Sequence, residues 1–155
     1  MKTFQTGNRT RLDNKDDIKA EYPVFVYGSL LTGLQNYPIL VNAHAENPIS
    51  MRPATLKGYK LLNLGYFPGM IKGEADDIVK GEFYPNIKII GHLDRLEGYL
   101  KNNPSNSFYN RILTDVTLNN GEQVKAYVYV LNHDPQNVGF STIEGGDWRS
   151  VASRF

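Results

Sequence analysis

The chain contains no cysteine. That absence excludes disulfides, thiolate catalysis and cysteine-bound zinc. Histidine is scarce as well: His44, His92 and His133 show neither a metal-site spacing nor a triad partner. No apolar run is long enough to cross a membrane. The opening residues Met1-Lys2-Thr3-Phe4-Gln5 lack the apolar centre of a signal peptide, so the expected location is the cytoplasm. The triplet Asn8-Arg9-Thr10 matches a glycosylation acceptor, which carries no weight without secretion. An excess of charge of one sign is absent too. The net charge is +1 and the basic residues are scattered, unlike the basic stripe of a nucleic-acid binder. Gly28 and Gly33 are not followed by Gly-Lys-Ser/Thr and lack the Rossmann spacing. The expectation is therefore no cofactor, no metal, no nucleic-acid partner and no membrane partner. The oligomeric state is left open.

With 155 residues the chain suits one domain with a real core. Ten tyrosines suit strands and pocket walls that meet something small and partly polar. Residues 1–22 read as a polar arm, including the solvated run Asp13-Asn14-Lys15-Asp16-Asp17, and residues 23–155 as the single domain.

Val24-Phe25-Val26-Tyr27-Gly28-Ser29-Leu30 reads as a buried strand that breaks at Gly28. Backbone N–H groups released by such a break can cradle an anion or a polarised carbonyl oxygen. Apolar residues at 30, 31, 34 and 37 predict a helix that Pro38 bends or ends, followed by a loop to Pro53. Residues 54–64 predict one strand, or two, bent at Gly58. Residues 65–70 predict a turn with aromatic walls, and 78–84 a strand. Residues 87–97 form the best helical pattern, with Gly98 as its C-terminal cap. A surface loop over 101–107 leads to two strands, 111–118 and 124–130, joined by a hairpin at 119–122. The tail from Asn132 is irregular. Strands in neighbouring pairs, with few helices, point to an α+β fold around a curled, largely antiparallel sheet.

Glu97 stands out. At 100° per residue, Ile89, Ile90, Leu93 and Leu96 make one helical face, and Glu97 falls on it. It also lies in the last turn, where the backbone dipole disfavours an anion. Both effects raise a carboxyl pKa without helping the fold, which marks a candidate acid or base. The plainer reading is a frayed helix end with Glu97 in solvent. Asp94, at the edge of the same face, reads as an ion-pair partner of Arg95 or Arg111 rather than a catalytic group. Ser29 as a nucleophile lacks the second glycine of a nucleophile elbow.

Together these residues resemble the gamma-glutamylcyclotransferase family, in its gamma-glutamylamine cyclotransferase-like and AIG2-like branch. The resemblance runs from about residue 24 to 150. It rests on Val26-Tyr27-Gly28-Ser29-Leu30, Phe67-Pro68-Gly69, Val79-Lys80-Gly81-Glu82-Phe83-Tyr84 and Leu93-Asp94-Arg95-Leu96-Glu97-Gly98. Tyr109-Asn110-Arg111, Ala126-Tyr127-Val128-Tyr129 and Gly146-Asp147-Trp148 complete it. The resemblance implies a small, mostly antiparallel β-barrel with flanking helices and a cavity beside Tyr27 to Leu30. It implies Glu97 as the general acid/base of a cyclising acyl transfer, of transferase or lyase type, on a small γ-glutamyl substrate. The substrate's α-amine attacks its own γ-carbonyl, giving 5-oxoproline and a free amine or amino acid. No protein nucleophile is needed, because proximity is supplied by holding the chain folded. Tyr27, Gly28, Ser29, Leu30 and Tyr109 are the expected substrate-binding residues. The turn would hold the oxyanion or the α-carboxylate; the two tyrosines would be walls, donors or plain core. Arg111 would attract a carboxylate or pair with Asp94. The alternatives are a non-catalytic ligand-binding module on the same fold and a hydrolase that releases free acid.

Overall fold

Strand β1, Val24–Val26, is buried along its whole length because it has a neighbour on each side. It pairs antiparallel with Ile78–Tyr84, with Val26 opposite Glu82. It also pairs in parallel with Gln123–Leu131, at Val24 and Tyr127. The computed structural model describes residues 18–44, 49–132 and 140–152. The Asn8-Arg9-Thr10 triplet, the Asp13 to Asp17 run and His133 lie outside them.

In chain order α1 is Tyr37–Ala43, β2 Arg52–Lys57, β3 Tyr59–Asn63, β4 Pro68–Lys72 and β5 Ile78–Tyr84. Then come α2, Ile90–Glu97, β6, Tyr109–Leu118, β7, Gln123–Leu131, β8, Ser141–Thr142, and α3, Arg149–Ala152. Five strands close a barrel in the order β1-β5-β2-β6-β7, with the parallel β1–β7 pairing as the seam. The long β6–β7 hairpin keeps one register from Tyr109 opposite Leu131 to Thr117 opposite Gln123. A second sheet, β4-β3-β8, lies outside the barrel. The core joins Phe25, Leu56, Val79, Tyr84, Val116 and Val128 inside the barrel strands to Ile90, Leu93 and Trp148 from the flanks.

The expected α+β barrel with flanking helices is the observed fold. The tail, expected to be irregular, carries β8 and α3, and four further local readings change. No helix starts at Leu30: residues 28–36 run as turns, with Gly33 at φ 83°. Pro38 opens α1 instead of ending a helix, since its missing N–H costs nothing in a first turn. Pro68-Gly69 begins β4, where a proline at a strand's first position is tolerated. Helix α2 starts at Ile90, because Ile87 and Ile89 are bound in bridges to His44 and Lys19. The Gly91 N–H donates to the Ile18 carbonyl, 3.3 Å, so the described end of the arm covers the start of α2. Among the described residues no helix is long and apolar enough to cross a membrane.

Candidate active site

Helix α2 ends at Glu97 because Gly98 adopts the left-handed conformation, φ 67°. The Gly98 and Tyr99 amides then bond back to the carbonyls of Arg95 and Asp94. This cap holds the last helical turn in place, and with it Glu97. Ile90 and Leu93 on the same face are fully buried, so Glu97 is carried inward as its spacing predicts.

Glu97 lines a cavity of about 400 Å³ together with Tyr27, Gly28, Ser29, Leu30 and Tyr109. That volume is in the range of small-molecule sites. The acid and the turn after β1, far apart in sequence, therefore share one hollow. Glu97 is half-buried and keeps some surface accessible. Among the described residues its carboxyl has no hydrogen-bond or ion-pair partner. Burial pushes its pKa up to about 8. The same burial raises Tyr27, Tyr109 and Tyr129, with the Glu97 charge adding to each, so all three phenols stay protonated at neutral pH.

The turn is shaped by close approach. A Cβ on Gly28 would sit 2.7 Å from Cγ of Pro68, so only glycine lets this turn lie against the start of β4. The Leu31 amide donates to the Gly28 carbonyl, 3.0 Å, and the Asn36 amide to the Ser29 carbonyl, 2.9 Å. The Ser29 and Leu30 amides find no acceptor among the described residues and border the cavity. They are donors available to a ligand oxygen. Ser29 Oγ accepts a bond from Asn36 Nδ2, 2.9 Å, and no histidine lines the cavity, which leaves Ser29 without a base. Tyr109 Oη donates to the Pro68 carbonyl and Tyr27 Oη to the Tyr129 carbonyl, each at 2.5 Å. Both tyrosines are thus walls whose protons are spent on tying β4, β6 and β7 around the hollow.

A family model described as gamma-glutamyl cyclotransferase, AIG2-like, matches residues 24–150. The chain belongs to that family. Among solved structures it is similar to a protein of Arabidopsis thaliana, at 25% identity and TM-score 0.61, over 86% of this chain and 75% of that one. It is similar to an AIG2-like protein from Mus musculus at 21% identity and TM-score 0.56, over 79% of this chain and 86% of that one. An uncharacterized protein from Pyrococcus horikoshii gives 21% identity and TM-score 0.56, over 86% and 95% of the two chains. The last two likenesses concern the fold. No curated protein matches the sequence.

This AIG2-like cavity has parts that sequence reasoning missed. Tyr129 lines it and donates to Asp94 Oδ1 at 2.6 Å. Asp94 is itself buried and paired with Arg111, 2.8 Å, whose guanidinium lies 4.4 Å from the Tyr127 ring centre. Arg111 is therefore bound to Asp94, which closes the choice the sequence left open, and neither residue lines the cavity. Tyr129 is far in sequence from both the turn and Glu97, and although it falls in the Ala126-Tyr127-Val128-Tyr129 run, nothing local marks it as a cavity residue. Among the described residues no cluster of three or more acidic or histidine side chains could hold a metal.

Proposed function

We propose that this protein is a γ-glutamyl cyclotransferase that converts a γ-glutamyl amide into 5-oxoproline and a free amine, with Glu97 as general acid and base. The observation that carries this reading is the unpartnered Glu97 carboxyl, with its pKa near 8, in the same cavity as the donor turn at Ser29 and Leu30.

The chemistry follows from proton bookkeeping. An α-ammonium group has a pKa of about 8. A carboxylate matched to it takes that proton at little free-energy cost, which a carboxylate near 4 cannot do at neutral pH. The freed amine attacks the γ-carbonyl carbon, and the new oxyanion is held by the Ser29 and Leu30 amides. Glu97, now protonated, gives its proton to the departing nitrogen as the C–N bond breaks. The carboxylate so regenerated takes the surplus proton from the ring nitrogen and passes it on to the released amine. The attacking nitrogen sheds two protons and the leaving nitrogen gains two, so no water and no redox partner enter. The cavity supplies the remaining term, by holding the glutamyl chain folded toward ring closure.

Release of 5-oxoproline from a panel of γ-glutamyl amides tests the reading. Glu97→Gln should keep substrate binding and lose at least about 100-fold in kcat. Full turnover by that variant would remove Glu97 from the mechanism. Free glutamate as product would instead mark a hydrolase, and binding without turnover a ligand-binding module.

A further inference from the structure

The mouth of the cavity is built differently from its interior. Tyr109 is buried beside Glu97's hollow, and its ring lies 4.9 Å from that of Phe108. Phe108 is 40% exposed and lies 6.0 Å from Phe67, itself 38% exposed. Tyr66, 78% exposed, stands at the tip of a tight turn closed by the Leu64 amide on the Phe67 carbonyl, 3.0 Å. All four line the cavity. Tyr109, Phe108 and Phe67 make an aromatic track of successive ring contacts from the buried wall toward solvent, with Tyr66 next to its outer end in the chain. Among the described residues no lysine, arginine or histidine lines the cavity, and Glu97 is its one ionisable carboxyl.

The proposed function places the glutamyl half of the substrate inside, against Glu97 and the turn, so the leaving amine must lie along this track. A carboxylate on that amine would lose part of its hydration against aromatic rings, with only the neutral amides of Gln35 and Asn36 and no cation in the lining to receive it. A flat apolar group would instead cover ring surface that the fold leaves in water. From this neutral aromatic track at the mouth we infer that the preferred substrates are γ-glutamyl amides of apolar, aromatic amines, with Tyr66 and Phe108 as specificity residues. This rests on the cyclotransferase reading and sharpens it from a reaction to a substrate class.

The test compares kcat/KM for four amides of the same glutamyl group: with benzylamine, propylamine, 1,4-diaminobutane and alanine. The benzylamide should exceed each of the others by about tenfold or more, the scale of one well-placed apolar group in a pocket. Tyr66→Ala and Phe108→Ala should each shrink the benzylamide-to-propylamide ratio, and circular dichroism would show that the variants fold. Turnover with equal rates, or with the diaminobutane or alanine amide preferred, overturns this inference and leaves the cyclotransferase standing. A ratio unmoved by both variants also overturns it. No 5-oxoproline from any of the four overturns both.

Discussion

Asp94 and Glu97 sit one helical turn apart on α2, and the fold treats them in opposite ways. Asp94 is 4% exposed and fully answered: Arg111 meets one oxygen at 2.8 Å and Tyr129 the other at 2.6 Å. Glu82 on β5 is answered as well, by the Thr32 amide at 2.8 Å, the Tyr84 hydroxyl at 2.9 Å and Arg149 at 3.2 Å. Glu97 has no such partners, and burial alone governs its pKa. Two carboxylates hold elements together: Asp94 ties α2 to β6 and β7, and Glu82 ties the turn after β1 to β5 and α3. The third is left bare beside a hollow. A carboxylate kept inside without a partner costs stability, and the proposed reaction gives that cost a use.

Removing a partner from the answered pair should have the largest effect. Asp94→Ala leaves the Arg111 guanidinium buried without its counter-charge, and should lower stability by about 3–5 kcal/mol in urea denaturation. A loss under about 1 kcal/mol would mean that Arg111 finds another partner.

The bare acid predicts the opposite sign. Its native pKa, about 8, lies above the unfolded value of 4.5, so the native state holds the extra proton between them. Its contribution to stability is most favourable below pH 4.5 and is lost as the pH rises through about 8. Glu97→Gln should therefore be more stable than the parent at pH 9, by about 3 kcal/mol after allowance for the water that reaches the cavity. Near pH 4 the two should be alike. A variant less stable at both pH values would show that the carboxylate has a partner.

The smallest effect belongs at the surface. The Arg149 side chain is 44% exposed, so Arg149→Ala should cost less than about 1 kcal/mol, diminishing further in high salt. A larger loss would make the Glu82 cluster, and not the barrel, the support of the turn at 28–36.

Glu97's inward aim was legible in the sequence, because the 3.6-residue period fixes a face once Ile90 and Leu93 define it. The strand at 78–84 and the 119–122 hairpin were legible for the same local reason. Barrel closure was not, since Val24 pairs with Tyr127 across most of the chain. Nor was the Asp94–Tyr129 bond, whose partners are 35 residues apart. The turns at 28–36 mimic a helix in their apolar spacing. What overrides it is Gly33 at positive φ and the hold of Asn36 on Ser29, neither of which periodicity contains.

Direct titration of the Glu97 carboxyl bears most closely on all of this. With the glutamate side-chain carboxyls labelled with carbon-13 and Glu97 assigned by comparison with Glu97→Gln, its NMR shift should titrate near pH 8. A midpoint near 4.5 would show the carboxyl to be solvated or paired, and would contradict both the bare acid and the ring closure built on it.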